Sequence, residues 1–284
     1  MPTGVVADLR GRRLSYVLGT LTLALSTLLY LLMWRISAPF WAWLWRPHFW
    51  DLASRSTQRG HMRKLIVGAQ VSMDGVMQAP GGPTEDPTKG FKFGGWVMPY
   101  FDREFGEELD RLFGEKFDLL LGRKTYEIFA AYWPYYDEDA PHGRIAKLFK
   151  VIKKYAVSRS GGVDTSWRGS VLLRDIADVK RLRDEDGPNL VTQGSTELVH
   201  ALLANNLVDA ITIFTVPVVL GSGKKLFADG SAPHAYKLTS SRVSSTGILI
   251  GHYERDGEIK IGGTALDSPS EGEVARQERM KREG

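Results

Sequence analysis

A chain of 284 residues can form one large domain or two small ones, and its 43% hydrophobic and 25% charged residues are ordinary for a globular protein. The absence of cysteine excludes disulfides, thiolate metal sites and a cysteine nucleophile, and it suits a reducing compartment. The formal net charge of +4 arises in residues 1–61, which carry seven Arg against two Asp, whereas residues 62–284 carry 30 basic and 31 acidic side chains. With no basic surplus in the main body, we expect no nucleic-acid partner.

The first predicted element is an uncharged apolar run of 21 residues, 14–34. A helix of this length, rising about 1.5 Å per residue, can cross a hydrocarbon layer of ~30 Å, and the tryptophans within residues 41–50 are typical of a membrane interface. A cleavable signal peptide fits less well, because the run is long and no clear small-residue cleavage site follows it. Alternatively, the true start is Met62 and residues 1–61 come from a mis-called start upstream. Both interpretations stay open, so we expect a cytoplasmic domain, with or without an N-terminal membrane anchor.

Residues 62–263 are expected to form the folded body, because apolar runs alternate there with segments of helical spacing, such as residues 101–113 and 198–202. This alternation predicts an α/β fold, a mainly parallel sheet with helices on both faces. The last two runs are separated by a Thr-Gly pair and predict an antiparallel strand pair at the C-terminal end. The predicted strands are 64–71, 117–121, 154–158, 171–173, 189–192, 210–216, 242–245 and 248–254.

Residues 264–284 form a charged segment without aromatic residues. A segment of this composition cannot bury a core of its own. We expect a disordered tail that forms at most a short solvated helix, and we assign it no function.

One predicted strand ends in Gly122-Arg123-Lys124-Thr125, where a helical segment begins. The N-terminus of a helix presents unpaired N–H groups and the positive end of the helix dipole, and a preceding glycine lets a ligand approach closely. Arg123 and Lys124 add positive charge, and Thr125 adds a hydroxyl. Taken alone, the pattern describes a helix cap with solvated cations at least as well as it describes a phosphate site.

Two further strand ends carry similar residues, at 158–160 (Ser-Arg-Ser) and 193–196 (Gln-Gly-Ser-Thr). Because ligands of open α/β sheets bind at the carboxyl ends of the strands, the three turns together predict a rim of N–H groups, hydroxyls and arginines. Such a rim suits a ligand with more than one phosphate, such as a dinucleotide. Neither the Rossmann fingerprint nor the P-loop motif occurs in the chain.

These motifs resemble the dihydrofolate reductase superfamily, and more closely its branch that includes the reductase domain of bacterial riboflavin biosynthesis. The similarity rests on GRKTYE at 122–127, VSR at 157–159 and GS at 194–195, in this order. VSMDG at 71–75 and PVVLGSGKKLF at 217–227 resemble the first strand and a late loop of the same branch. The resemblance extends over the whole predicted body and implies a dihydrofolate reductase-like fold and, by family habit, a homodimer.

The resemblance also implies NADPH as the cofactor. The first turn would meet the dinucleotide phosphates, Ser158 and Arg159 would hold the 2′-phosphate that distinguishes NADPH from NADH, and the third turn would sit under the pyrophosphate. Arginine can contact phosphate with two hydrogen bonds, and hydroxyls add fixed donors. Dihydrofolate reductases have a Gly-Gly pair where this chain has Gln193 and then a glycine. The residues assigned to the cofactor are Gly122, Arg123, Lys124, Thr125, Ser158, Arg159, Gly194, Ser195 and Thr196.

The resemblance offers two candidates for a catalytic acid and one for a substrate contact. GGWVMPYFDREF at 94–105 is similar to the Trp-x-x-Pro-x-Asp segment of dihydrofolate reductases, with the acid one residue later. It therefore implies that Trp96 contacts substrate and that Asp102 is catalytic, although Asp102 could equally stabilise the first turn of a helix through the helix dipole. Asp74 is the rival catalytic candidate, and it could instead be a turn residue because it precedes a glycine.

The expected function is NADPH-dependent reduction of a pterin-like or pyrimidine-like heterocycle, similar to 5-amino-6-(5-phosphoribosylamino)uracil reductase. The aromatic segment 133–136 could line a pocket for a planar substrate or simply pack in the core. The six histidines lack metal-ligand spacing, so we propose no metal site. The alternative function is a non-catalytic nucleotide-binding sensor or scaffold tethered to a membrane.

Overall fold

The computed structural model describes residues 62–141, 143–264 and 268–283. The predicted membrane anchor at 14–34, and the whole N-terminal segment 1–61, lie outside these residues. Within the part of the chain that is described, no helix is both long and apolar enough to span a bilayer.

The described strands form one eight-stranded sheet in the order β4-β3-β2-β5-β1-β6-β8-β7. All pairs from β4 to β6 are parallel, whereas β8 pairs antiparallel with both β6 and β7. This topology confirms the predicted mainly parallel sheet with an antiparallel pair at its C-terminal end. The strands are β1 Leu65–Ser72, β2 Phe117–Gly122, β3 Lys154–Val157, β4 Ser170–Leu173, β5 Asn189–Gln193, β6 Ala210–Val216, β7 Tyr236–Val243 and β8 Leu249–Arg255.

Helices cover both faces of the sheet. Helices α1 to α3 pack on one face and helices α4 and α5 on the other, so the core has two parts separated by the sheet. The helices of the described chain are α1 Arg103–Leu112, α2 Arg123–Tyr132, α3 Gly143–Val151, α4 Ile176–Asp184, α5 Thr196–Ala204 and α6 Glu271–Glu283. Short 3₁₀ turns occur at Thr88–Gly90, Met98–Tyr100 and Trp133–Tyr135.

The central strands are apolar on both faces, which is why they read as continuous apolar runs. In β2, Leu119 and Leu121 join the core beneath α1, where Phe105 is fully buried. Leu120 points to the opposite face and joins the core of α4 and α5, which includes Leu202. Because both faces of these strands are covered, a ligand can reach them only at the strand ends, and in open α/β sheets it binds at the carboxyl ends.

The prediction for the seventh strand was wrong in its bounds. Residues 242–245 were expected to form it, but β7 runs from Tyr236 to Val243, and Ser244 belongs to the turn that leads into β8. β7 is an edge strand with mostly polar, solvent-accessible residues, so it lacks the apolar run used to recognise the others.

Within the C-terminal segment, α6 is a helix without buried residues, and the sequence composition allowed for a short solvated helix here. The Ser270 hydroxyl accepts a hydrogen bond of 3.3 Å from the Glu273 N–H at the start of the helix. Arg276 donates two bonds of 2.7 Å to the Glu273 carboxylate one turn earlier. No residue of α6 is buried, so these local interactions take the place of core packing.

Candidate active site

A cavity of about 1470 Å³ lies at the carboxyl ends of β2, β3 and β5. These strands are adjacent in the sheet, so the turns that follow them are brought to one edge. The cavity lining includes every residue that the sequence assigned to the cofactor, namely Gly122, Arg123, Lys124, Thr125, Ser158, Arg159, Gly194, Ser195 and Thr196.

The turns after β2 and β5 are hydrogen-bonded to each other. The Gly122 N–H donates to Ser195 Oγ at 3.0 Å, and the Ser195 N–H donates to Thr125 Oγ1 at 3.1 Å. Gly194 and Ser195 both have left-handed backbones, with φ of 66° and 56°, which turns the chain from β5 into α5. Both hydroxyls are acceptors in these bonds, so each keeps its own O–H available for a ligand. All described peptide bonds, including the one after Gln193, are trans.

The start of α2 is arranged to receive an anion. Its N-cap, Gly122, supplies no side-chain cap, and the first turn contains no acidic residue. The first turn instead contains Arg123 and Lys124, and cations at this end of a helix are unfavourable by about 0.3–1 kcal/mol each. Glu127 offsets part of this charge through an ion pair with Arg123 at 3.2 Å. A bound phosphate would satisfy the free N–H groups and neutralise the remaining charge.

The turn after β3 provides a second cationic point. Ser158 is buried and anchored by its N–H, which donates to the Leu173 carbonyl at 2.9 Å. Arg159 is exposed, and within the described residues its side chain has no ion pair or hydrogen bond. Arg174 also reaches this turn, because its guanidinium packs over Gly161, although Arg174 is not among the residues that line the cavity. No sequence signal pointed to Arg174, because only the fold brings the end of β4 beside this turn.

The cavity lining also contains a group of apolar and aromatic side chains. This group includes Val97, Met98, Phe101, Phe105, Phe129, Tyr132 and Trp133. The aromatic segment 133–136 was predicted either to line a pocket or to pack in the core, and Trp133 does both. It lines the cavity, and its ring centroid lies 5.1 Å from that of Phe149. Tyr135 is 84% exposed and contributes neither to the cavity lining nor to the core.

Trp96, predicted to contact substrate, does not line the cavity. It is 8% exposed and belongs to the core beneath α1. Its indole N–H donates to the Gln78 carbonyl at 2.8 Å, which fixes the ring away from the open space. The following residues, Val97 and Met98, line the cavity instead. The segment singled out by the resemblance thus borders the cavity, while the side chain of Trp96 itself packs in the core.

Asp74 also lies outside the cavity lining and acts as a clamp between two loops. Its carboxylate accepts hydrogen bonds from the Ser72 hydroxyl at 2.6 Å, the Gly221 N–H at 2.8 Å and the Leu220 N–H at 3.1 Å. The Ser72 bond, together with the two backbone bonds, lowers the pKa of Asp74 to about 2 despite partial desolvation. At neutral pH this group is ionised, so it has no proton to donate.

Asp102 is the N-cap of α1 and is equally unsuited to donate a proton. It accepts bonds from the Phe105 N–H at 2.9 Å, the Thr246 N–H at 3.0 Å and the Ser245 hydroxyl at 2.8 Å. Burial alone would raise the pKa of Asp102, but these hydrogen bonds outweigh it and hold the pKa well below its usual range. These contacts support the alternative, structural interpretation of Asp74 and Asp102. The catalytic role of either residue stays a prediction.

The sequence prediction missed two polar residues of the cavity lining, Gln70 on β1 and Glu85 in the loop after it. Glu85 Oε2 accepts the Gly81 N–H at 2.6 Å and the Gly82 N–H at 3.2 Å. Burial raises the pKa of Glu85, aided by the nearby carboxylate of Asp86 and opposed by the two backbone bonds. Glu85 lies in a Gly/Pro-rich stretch that reads as an ordinary loop, and Gln70 lies inside an apolar run.

The comparison with protein families decides the identity of this domain. The sequence model of the RibD C-terminal domain matches residues 63–250. The chain belongs to this family. Two proteins of Bacillus subtilis (strain 168) are similar to it and are themselves uncharacterized. YyaP is 25% identical over 198 residues, covering 69% of this chain and 96% of YyaP. YwjB is 32% identical over 75 residues, which cover 26% of this chain and 42% of YwjB.

Solved structures similar to this RibD C-terminal domain protein include a putative riboflavin biosynthesis protein from Shewanella sp. PV-4. It has a TM-score of 0.46 and 18% identity, and the alignment covers 68% of this chain and 99% of that one. Another is dihydrofolate reductase from Enterococcus faecalis complexed with NADP(H), with a TM-score of 0.44, 11% identity and coverage of 68% and 96%.

The clamp role of Asp74 predicts a pH-dependent loss of stability in Asp74→Asn. A carboxylate whose pKa is lowered in the folded state stabilises the fold above its unfolded pKa of about 3.9, and this contribution disappears as the pH falls towards 2. Urea unfolding should therefore show Asp74→Asn less stable than the parent by roughly 1–2 kcal/mol at pH 7. The difference should shrink below pH 4.

The matched control for this measurement is Asp139→Asn, because the Asp139 side chain is 95% exposed. Its stability should follow that of the parent at every pH. A difference between the parent and Asp74→Asn that stays constant from pH 7 to pH 3 would contradict the role of the ionised clamp.

Proposed function

We propose that this protein is an NADPH-dependent reductase of a planar heterocycle of the pterin or pyrimidine type, related to 5-amino-6-(5-phosphoribosylamino)uracil reductase. One observation carries the proposal: the lining of one cavity combines three strand-end turns carrying Arg123, Lys124 and Arg159, here called its cationic half, with apolar and aromatic side chains, here called its aromatic half. A phosphorylated dinucleotide matches the first half, and a flat ring matches the second. Membership of the RibD C-terminal domain family supports the same reading.

The groups of the cationic half fit NADPH. The uncapped start of α2, with Arg123 and Lys124, offers N–H donors and charge to the dinucleotide phosphates. Arg159, free of protein partners in the described chain, is available for the 2′-phosphate beside the buried Ser158. Gly194 leaves room for the pyrophosphate to approach the backbone. When bound, NADPH would supply a hydride to the substrate.

The aromatic half would position the substrate ring and exclude water. Phe105 and Phe129 line the cavity and are held by core packing. The ring centroids of Phe105 and Phe214 are 4.8 Å apart, and those of Phe129 and Phe149 are 5.9 Å apart. Rings fixed in this way orient a flat ligand without further ordering cost, which favours a reactive geometry. A dry pocket also strengthens the electrostatic interactions at the reacting atoms.

Hydride addition to the double bond that is reduced, in the ring or at the carbon attached to its amino substituent, also needs a proton, and Glu85 is the group we assign to supply it. It lines the cavity, whereas Asp74 and Asp102 do not. Burial raises the pKa of Glu85, so a larger fraction of it is protonated near neutral pH than of an ordinary glutamate. Two backbone N–H groups hold one of its oxygens and thereby fix the side chain.

The first prediction of this proposal is catalytic turnover. Purified protein should oxidise NADPH in the presence of at least one member of a panel of pterins, dihydropterins and aminouracils, followed by loss of nicotinamide absorbance. NADPH binding without turnover on any member of the panel would instead support the alternative, a non-catalytic nucleotide-binding sensor or scaffold.

The second prediction concerns cofactor choice. Arg159→Ala should weaken NADPH binding roughly 10- to 100-fold, because a charge-assisted contact to the 2′-phosphate contributes about 1.5–3 kcal/mol. NADH binding should change little, since NADH lacks that phosphate. Arg181→Ala, on α4 outside the cavity lining, is the matched control and should leave both affinities unchanged. Equal weakening of NADPH and NADH by Arg159→Ala would remove Arg159 from this role.

The third prediction concerns the proton. Glu85→Gln keeps an oxygen for the Gly81 and Gly82 N–H groups but cannot donate, so kcat should fall by about 10²–10⁴-fold with NADPH affinity preserved. In the parent, kcat should decline as the pH rises through the raised pKa of Glu85, and this decline should be absent in Glu85→Gln. Asp74→Asn should retain turnover. A Glu85→Gln protein as active as the parent would leave water as the proton source.

A further inference from the structure

Gln70 is a buried polar side chain in the wall of the cavity. It lies near the carboxyl end of β1, is 7% exposed and lines the open space. Side chains two residues apart on a strand share a face, and a Cβ on Gly68 would meet Leu112 of α1 at 2.6 Å. Gln70 therefore faces the α1 side, where Phe105 and Leu109 also line the cavity.

The amide of Gln70 has no hydrogen-bond partner within the described residues. Burying an amide without a partner costs about 1–3 kcal/mol in proteins, so such a group is rare unless a ligand or water completes it. The fully enclosed, unpaired side-chain atoms of the described chain are Arg183 Nε and Thr192 Oγ1. The amide atoms of Gln70 are not among them, so they are accessible from the cavity. The donor and acceptor of this amide are thus presented to the cavity.

Gln78, the other buried glutamine that lines the cavity, shows the contrast. Its Nε2 donates to the carbonyls of Asp86 and Thr88 at 2.9 and 3.0 Å, and its Oε1 accepts the Lys224 N–H at 3.1 Å. Every polar function of Gln78 is used to hold the surrounding loops. Within the described residues, the amide of Gln70 makes no such contacts.

A primary amide presents one donor beside one acceptor in a plane. Its complement is a ring edge with a carbonyl next to an N–H, which is the lactam edge of oxo-substituted pyrimidines and of pterins. Phe214 is the register partner of Gln70 on β6, and Phe105 and Leu109 of α1 line the cavity on the same side of the sheet. Two such hydrogen bonds would form beside these apolar groups, and a ring without this edge would leave the amide unpaired.

We infer that Gln70 is the specificity-determining residue of the substrate half. It donates from Nε2 to the ring carbonyl and accepts at Oε1 from the neighbouring ring N–H, and it thereby selects heterocycles that carry a lactam edge. This inference rests on the proposed function, because it places the substrate ring in the aromatic half of the same cavity.

The test compares two ligands that differ in one donor, pterin and 3-methylpterin, by titration calorimetry in the presence and absence of NADP⁺. The parent should bind pterin about tenfold or more tightly than 3-methylpterin, as expected for discrimination by neutral hydrogen bonds. Gln70→Met is close in shape and lacks the amide, so it should bind the two ligands equally. NADP⁺ affinity should be unchanged, which also shows that the variant is folded.

Thermal unfolding without ligand provides a second readout. Gln70→Met should melt at the same temperature as the parent or higher, because an unpaired amide is replaced by an apolar group. Gln78→Met, the matched control, should melt at a lower temperature because it loses three hydrogen bonds. A marked fall for Gln70→Met would show that the amide is structural and would overturn the inference.

The inference also fails if the parent binds neither ligand or if Gln70→Met keeps the preference for pterin. These outcomes are separate from failure of the proposed function. A parent protein that discriminates the two ligands through Gln70 but oxidises no NADPH would retain the inference and lose the reductase. Conversely, if the parent turns over heterocycles but Gln70→Met still prefers pterin to 3-methylpterin, the reductase function is retained and the inference about Gln70 is lost.

Discussion

The reciprocal hydrogen bonds between the turns after β2 and β5 are the constraint on which the site depends. Gly122 donates to Ser195, and Ser195 donates back to Thr125, so neither turn can move without the other. The left-handed backbone of Ser195 costs of order 1 kcal/mol for a non-glycine residue, which glycine would avoid. A serine here is explained by its side-chain oxygen, which the Gly122 N–H requires.

Ionised carboxylates fasten the remaining loops around the cavity. Asp74 holds the loop after β6, Asp102 ties the start of α1 to the β7–β8 turn, and Asp86 pairs with Lys224 across two loops. Hydrogen bonds to each carboxylate favour its charged form. Glu85 is placed differently, since burial outweighs its two backbone bonds and raises its pKa. The surroundings of each carboxylate, rather than its residue type, thus determine whether its pKa is lowered, as for the three Asp residues, or raised, as for Glu85.

Much of the fold was predictable because the central strands are buried on both faces and keep their apolar runs. The three turns assigned to the cofactor lie together in the cavity lining, and they could be located in advance because their residues follow those runs directly in sequence. The direction of a side chain was not predictable in the same way. Trp96, Asp74 and Asp102 lie in segments that border the cavity, yet each turns to a backbone or hydroxyl partner elsewhere. Gln70 was missed because one polar residue in an apolar strand does not disturb the pattern.

The polarity that concealed β7 from sequence reasoning has a consequence for the behaviour of the protein in concentrated solution. β7 is one edge of the described sheet and carries the charges of Lys237 and Arg242, while the other edge, β4, is only four residues long. Charged or very short edge strands are poor templates for adding a strand from another chain. Within the described residues, both edges of the sheet are therefore unfavourable for edge-to-edge aggregation.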